Sequence, residues 1–393
     1  MNTMTRITNT PRDYAWGTPG GISRLFGQAP TEALEAELWL GSHPASPSRA
    51  VDREAGWSDL HEWEKLNGRP LPFLLKVLSA AAPLSLQAHP TPDQARQGFA
   101  REEEDGLARD NPERSYKDPY AKPEIIVAVE DGFEALCGFR EPAGILAILD
   151  QLADLGGSTD FADLRSRLTG PDPLREATSW ALSDDSGAAA QLTSKIALTS
   201  AANRGRFELL ARIADEYPGD PGLLVALMTN HVVLRKGEAL WLPAGNIHAY
   251  LRGTGIELMG PSDNVVRGGL TPKRVDVTEL MKVVDFRPIR SPRLRPEPVG
   301  INSVSYRPST QASGQGVEFQ LLKVEGDTAV QLTATAIAMV VDGSFRLSVG
   351  GFSQAVGPGE AVFLDARGVL QVAGRGELYI ALGTRMHLKP VLG

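Results

Sequence analysis

Gln87 and His89 are the first residues whose types and spacing suggest chemistry. They lie in segment 84–90, which follows the apolar run 71–78 after a short Ala-rich break, and the two segments are predicted to be neighbouring strands. Because side chains two residues apart in a strand point to the same side, Gln87 and His89 share one face. Pro90 keeps His89 extended and ends the strand. The imidazole is therefore either a metal ligand at a strand end or a hydrogen-bonded core histidine.

A carboxylate in an unusual position is another candidate ligand. Glu124 opens the apolar, β-branched strand predicted from Ile125 to Val129, and Lys122 lies on the same face two residues earlier. Burying a carboxylate is costly unless it is paired or bound to a metal. An ion pair between Lys122 and Glu124 is the simpler interpretation, and it is compatible with metal ligation.

One segment of the chain is repeated. Residues from Gly237 to His248 recur as residues 359–370, at a constant offset of 122. Shared glycine, glutamate and apolar positions predict two related β units. His248 corresponds to Leu370, so the second copy keeps the scaffold and lacks the residue able to bind a metal.

Composition restricts the class of protein. The 393 residues carry a net charge of -8 and a pI near 5.4, which argues against a nucleic-acid or anionic-membrane partner. Cys137 is the only cysteine, which excludes an intrachain disulfide and a cysteine-based zinc site. The polar N-terminus and the lack of a run of about 18 apolar residues predict a cytoplasmic protein. No obligate protein partner is expected.

Periodicity divides the chain into β and α regions. Short extended segments broken by Gly and Pro predict antiparallel strands over residues 1–90, and Thr91 is expected to cap the helix that follows. Apolar residues at helical spacing predict an all-helical insert over residues 141–220, with no evident chemistry. The strand pattern returns over residues 221–290 and continues over residues 291–393. The predicted fold is therefore mainly β with an α-helical insert.

A cupin-like motif accompanies these patterns. The spacing Gly237-x5-Pro243-x-Gly245-x2-His248 resembles the second cupin motif, with Arg252 where an asparagine is usual. Four further motifs give the chain a resemblance to the type I mannose-6-phosphate isomerases over almost its whole length: Glu37–Gly41, Gln87–Pro90, Lys122–Glu124 and Asn264–Lys273.

The resemblance implies two cupin jelly rolls plus a helical domain. Residues 1–140 and 221–290 are expected to form the catalytic cupin jelly roll, and residues 141–220 the helical insert. Residues 291–393 are expected to form a degenerate, metal-free jelly roll that supports the first.

The resemblance also implies a site and an activity. In that family one zinc ion is held by residues that correspond to Gln87, His89, Glu124 and His248, and an active-site arginine corresponds to Arg267. The expected activity is the reversible interconversion of mannose 6-phosphate and fructose 6-phosphate, which are small-molecule sugar phosphates.

Aldose–ketose isomerisation requires particular groups around the substrate. It moves a proton between C1 and C2 through an enediol, so the site must stabilise an oxyanion and carry one proton. Arg267 is suited to stabilising the enediolate. Lys122 and Glu257 are both candidate proton carriers, and the sequence does not rank them. Three polar residues are predicted to bind the phosphate: Lys76, Ser85 and Lys273.

Three other interpretations are open at this point. A closed structural zinc site is one, although such sites usually use cysteine. A metal-dependent oxygenase is another, and the Gln ligand and the absence of a His-x-His motif argue against it. The third is a catalytically silent cupin that binds sugar phosphate as a sensor, which substrate turnover would exclude. Family members commonly carry a histidine where this chain has Ala121, so that histidine is not required here if the activity is present.

Overall fold

The structure, a computed structural model, describes residues 3–29, 31–156, 161–308 and 317–383. The predicted fold class, mainly β with a helical segment, is confirmed. The first part of the chain contains β1 Thr3–Thr8, β2 Thr18–Pro19, α1 Gly21–Leu25, β3 Leu34–Glu35, β4 Glu37–Leu40, β5 Arg49–Ala50, a 3-10 turn at Arg53–Ala55, α2 Leu60–Asn67, β6 Leu74–Ala80, β7 Leu86–Ala88, α3 Pro92–Glu104, β8 Glu124–Ala128 and β9 Phe133–Phe139. Helix α3 begins as predicted, with Thr91 and Gln94 forming a capping box.

The helical segment follows β9. It contains α4 Pro142–Gly156, α5 Ala162–Leu168, α6 Pro173–Ser183, α7 Ala188–Ala202, α8 Arg204–Glu216 and α9 Gly222–Met228. Helix α9 is apolar and buried along its whole length, so its sequence has no helical periodicity. The expectation that strands return directly after Pro221 was therefore wrong. Within the described ranges, no helix has the length and apolar character needed to cross a bilayer.

The rest of the chain is mostly β. It contains β10 Thr229–Leu234, β11 Ala239–Leu242, β12 His248–Met259, β13 Val266–Gly269, α10 Val277–Val283, β14 Arg293–Leu294, β15 Glu297–Gly300, β16 Ser303–Tyr306, β17 Phe319–Val324, β18 Thr328–Leu332, β19 Ala336–Val349, β20 Phe352–Val356, β21 Ala361–Asp365 and β22 Gly368–Gly383.

Strand β12 joins the two sheets of the first jelly roll. Its first residues pair with β7 and β9 and its last residues pair with β6 and β8, all antiparallel. The strand bends at Gly253, where φ is +107° and a Cβ would lie 2.8 Å from the Cα of Phe133. Strands β6 and β7 pair with successive parts of β12 and not with each other, so the prediction that they are neighbouring strands was wrong.

The C-terminal part of the chain forms a separate sheet. Its strands run in the order β15-β16-β17-β22-β19-β21-β1-β5, with β18 paired to β22 and β20 paired to β19. Strand β1 therefore hydrogen-bonds to the C-terminal sheet, through its pairing with β21, although residues 1–140 were assigned to the first jelly roll from sequence.

Buried apolar side chains fill both rolls and the layers between them. Leu78 and Phe133 lie inside the first roll, and Leu347 lies inside the second. The outer faces of the two rolls pack against each other through a cluster that includes Val77 and Phe363. The other sheet of the first roll packs its outer face on the helices.

The repeat found in the sequence has a structural counterpart. Gly237 precedes β11 and Gly359 precedes β21, with φ of 81° and 79°. Their N–H groups donate to the carbonyls of Ala128 and Val340, at 2.8 and 2.9 Å. The same strand-turn-strand unit thus occurs in both rolls.

Candidate metal centre and active site

A row of polar residues crosses neighbouring strands of the first roll. Gln87 of β7 lies opposite His248 of β12 and also opposite Arg267 of β13. Residues directly opposite each other place their side chains on the same face of a sheet. Leu86 and Ala88, which alternate with Gln87, are buried against the helices. The polar row therefore faces the interior of the roll.

His89, Glu124 and His248 form a compact cluster in this interior. Their candidate ligand atoms all lie within 4.8 Å of one another. The Nε2 atom of His89 is 3.3 Å from Oε1 of Glu124, and Nε2 of His248 is 3.3 Å from Oε2 of the same carboxylate. Each residue is only 1% exposed, so bulk water does not reach the cluster.

Main-chain carbonyls fix which nitrogen of each imidazole carries the hydrogen. His89 Nδ1 lies 2.8 Å from the carbonyl oxygen of Asn264, and His248 Nδ1 lies 3.0 Å from that of Asn246. Because a carbonyl only accepts, each Nδ1 must carry the hydrogen, and each Nε2 therefore presents its lone pair to Glu124. Burial also lowers the pKa of His89 to about 4, against the opposing effect of Glu124, so the ring is neutral at pH 7.

These donor atoms fit a metal ion. His89 Nε2, Glu124 Oε2 and His248 Nε2 are buried and have no hydrogen-bond partner. Such orphaned atoms are rare in folded proteins because burying an unsatisfied polar group is costly. Two imidazole nitrogens and a carboxylate oxygen are donors that zinc accepts. The cluster is therefore a candidate metal site, and Gln87 faces the same interior from the adjacent strand.

Lys122 keeps the carboxylate of Glu124 ionised. Its Nζ lies 2.9 Å from Oε1 of Glu124, which is the ion pair predicted from the spacing of the two residues. Burial alone would raise the pKa of Glu124, but Lys122 and His89 hold it well below its usual range. The carboxylate can thus bind a cation through Oε2 while Oε1 contacts the lysine.

Lys76 and Glu257 lie in a buried polar array that crosses strands β4, β6 and β12. Lys76 Nζ is 3.3 Å from Oε1 of Glu37 and 3.4 Å from Oε2 of Glu257. The hydroxyl of Tyr250 donates to Oε1 of Glu257 at 3.0 Å. Burial raises the pKa of Glu257 to about 7, although Lys76 opposes the shift. Burial therefore favours the protonated, neutral form of Glu257.

The other predicted phosphate residues lie elsewhere. Lys273 is exposed, and Ser85 is half-buried directly before β7. Burial lowers the pKa of Lys273, and the nearby charges of Arg267 and Lys117 lower it further. In the described part of the chain, no carboxylate lies within ion-pair distance of Lys273 or Arg267. The structure thus places Lys273 beside Arg267, while the charge of Lys76 is already matched by two carboxylates.

Comparisons with known proteins identify the family. The model of the type I phosphomannose isomerase catalytic domain matches residues 4–142. Mannose-6-phosphate isomerase of Escherichia coli (strain K12) is 35% identical over 395 residues, which cover 95% of this chain and 98% of that protein. The chain belongs to the type I phosphomannose isomerase family.

Solved structures of the family have the same fold. The apo form of mannose 6-phosphate isomerase from Salmonella typhimurium is 30% identical, with a TM-score of 0.86 over 98% of this chain and 100% of that chain. A zinc-bound form of mannose 6-phosphate isomerase, also 30% identical, has a TM-score of 0.84 over 97% of this chain and 100% of that chain. The predicted family, the cupin fold and the isomerase class are therefore confirmed. The cytoplasmic location and the absence of an obligate protein partner stay predictions.

Sequence reasoning missed several residues that surround the site. Tyr250 and Asn264 stood in the family motifs, but nothing in the pattern indicated which groups they contact. Glu37, whose carboxylate accepts from Trp39 Nε1 at 2.8 Å, was visible only as the first residue of a motif. His43, in a Ser/Pro-rich loop, places its Nε2 3.2 Å from Oδ2 of Asp263. The partners of Asn264 and His43 come from distant parts of the chain, so no local signal could have found these two sets of contacts.

Proposed function

We propose that the protein interconverts mannose 6-phosphate and fructose 6-phosphate, using one zinc ion held by Gln87, His89, Glu124 and His248. The observation that supports the zinc site most directly is the set of three buried ligand atoms without hydrogen-bond partners. The substrate is inferred from the relatives, which are named for this activity and match almost the full length of the chain.

The groups around the proposed metal site would have different roles in isomerisation. When bound, zinc supplies a Lewis acid that polarises a substrate oxygen. Arg267 lies on the same face as Gln87 and carries a permanent charge, so it stabilises negative charge that develops on the enediol oxygens. The enclosed position of the cluster excludes bulk water, which strengthens both electrostatic effects.

Two residues are candidates for moving the proton between C1 and C2. Glu257 has a pKa of about 7, which suits a group that must both accept and release a proton at neutral pH. Lys122 contacts a ligand carboxylate directly, so its charge is tied to that of the metal site. We propose Glu257 as the first candidate for the proton carrier and Lys122 as the second.

The phosphate group needs cations that are not already neutralised. Lys273 and Arg267 meet this requirement, and Ser85 can add a hydroxyl donor. Lys76 is the weaker candidate because it lies between Glu37 and Glu257. We propose that Lys273 binds the phosphate and that Lys76 instead holds the Glu257 carboxylate in place.

The test is a coupled assay of the purified protein with mannose 6-phosphate. We expect fructose 6-phosphate to form, to disappear after chelation and to return when zinc is restored. His89→Ala should abolish both zinc binding and turnover, whereas His231→Ala, which removes a histidine outside the cluster, should leave both intact.

A protein that binds the substrate at full zinc occupancy without forming product would overturn the proposal. That result would favour the silent sensor.

A further inference from the structure

Asn264 uses every polar atom of its side chain to hold one loop. Its Oδ1 accepts from the main-chain N–H groups of Lys117 and Asp118, at 2.7 and 3.2 Å. Its Nδ2 donates to the carbonyls of Asp118 and Tyr120, at 2.7 and 2.9 Å. The residue is fully buried, so water cannot replace these bonds.

The main chain of the same residue holds a metal ligand. The carbonyl oxygen of Asn264 accepts from Nδ1 of His89 at 2.8 Å. This bond fixes which nitrogen of His89 carries the hydrogen and directs Nε2 towards Glu124. One residue thus contacts the loop at 117–120 and the imidazole of His89.

Neighbouring residues extend the connection to Glu124 itself. The N–H of Gly260 donates to the carbonyl of Pro123 at 3.0 Å. The hydroxyl of Ser262 donates to the carbonyl of Tyr120 at 3.1 Å. Segment 260–264 is therefore bonded along the whole loop that leads to Lys122 and Glu124.

Asparagine suits this position for a chemical reason. It is neutral and offers two N–H donors and an acceptor oxygen on one short side chain. Alanine would leave buried N–H and C=O groups without partners. Aspartate would keep the acceptor but place a negative oxygen against the carbonyls of Asp118 and Tyr120.

We propose that Asn264 is a positioning residue that sets the geometry of the metal site by fixing His89 and the Lys122–Glu124 loop together. This inference rests on the proposed metal site. It predicts that loss of the Asn264 side chain weakens metal binding more than it weakens the fold, because the ligands are displaced relative to one another. Partners that orient metal ligands typically contribute about 10–100-fold to affinity.

The experiment measures zinc affinity by competition with a chelator and records the visible spectrum of the Co²⁺-loaded protein, which reports ligand geometry. The matched control is Asn230→Ala, since Asn230 Nδ2 also lies within hydrogen-bonding distance of several main-chain carbonyls, including those of Phe139 at 3.0 Å and Ile289 at 2.9 Å, without contacting His89 or Glu124. We expect Asn264→Ala to lose about 10–100-fold in zinc affinity and to alter the Co²⁺ spectrum. Asn230→Ala should keep the wild-type spectrum and affinity.

Two outcomes would overturn the proposal. One is wild-type affinity and spectrum in Asn264→Ala; the other is an equal loss in both variants, which would mean a general structural role. If Asn264→Ala does not fold, Asn264→Ser provides the same comparison with a small side chain that is polar and uncharged. Wild-type protein that binds neither Zn²⁺ nor Co²⁺ would instead refute the metal site itself, so the two failures are distinguishable.

Discussion

Replacing Lys76 with methionine should expose how much the buried polar array depends on one charge. Lys76, Glu37 and Glu257 are 5%, 7% and 3% exposed, and the lysine is the cation that contacts both carboxylates. Methionine keeps the volume and removes the charge, so two carboxylates remain buried without it. Breaking a buried ion pair in this way typically costs about 3–5 kcal/mol, and we expect a loss of that size at pH 8.5.

The loss of stability in Lys76→Met should depend on pH, because Glu257 becomes neutral when it binds a proton. Its pKa is raised from 4.5 to about 7, so the folded protein binds more protons than the unfolded chain between these values, and stability falls as pH rises through that window. Without Lys76 the pKa rises further. Stability then continues to fall above pH 7, by up to about 1.4 kcal/mol per pH unit. At pH 6, below that pKa, Glu257 is mostly protonated in both proteins, and the difference in stability should be smaller.

Urea unfolding followed by circular dichroism, at pH 6 and pH 8.5 with equal zinc, measures this difference. Lys236→Met is the matched control, because Lys236 is half-exposed and its partner Glu377 keeps contacts with Lys323 and Tyr379; it should change stability by less than about 1 kcal/mol. The double variant Lys76→Met/Glu257→Gln should regain most of the additional stability that Lys76→Met loses at pH 8.5 relative to pH 6. A loss below about 1 kcal/mol at pH 8.5, or equal losses at both pH values, would refute the reasoning.

Three further variants test other parts of the molecule. Gln87→Ala should lower zinc affinity about tenfold or more while circular dichroism stays unchanged; unaltered affinity in the chelator competition would remove Gln87 from the ligand set. Arg267→Lys should lower kcat about 10²–10³-fold in the coupled assay, since a compact ammonium does not reproduce the guanidinium fork, and near-normal turnover would argue against an oxyanion role. Thr91→Ala should lose the cap of α3 and about 1 kcal/mol of stability with kcat intact; an unchanged urea midpoint would mean that the cap is dispensable.

Local patterns predicted the parts of the site that depend on nearby residues. The two-residue period of strands placed Lys122 and Glu124 on one face, and their ion pair follows from that spacing. Thr91 capped its helix because a side-chain oxygen reaches N–H groups only three residues away. The motif spacing around His248 likewise located one candidate metal ligand directly, since a turn and the following strand are specified by consecutive residues.

Local patterns could not predict how strands from different parts of the chain pair with one another. Strands β6 and β7 are close in sequence, yet each pairs with a different part of β12 and not with the other. Helix α9 has no period because it is buried on all sides. The role of Lys76 depends on Glu37 and Glu257, which arrive on β4 and β12. Asn264 depends on a loop and a histidine that precede it by more than a hundred residues.

The sequence by itself therefore determined the family, the strand-rich fold and the candidate metal ligands. These follow from steric and periodic rules that act over a few residues, and from motifs that keep their spacing. The tertiary structure alone decided which charges neutralise one another and what orients the ligands. Those contacts arise only when the sheets close and pack, because burial then forces each polar atom to find a partner across the roll.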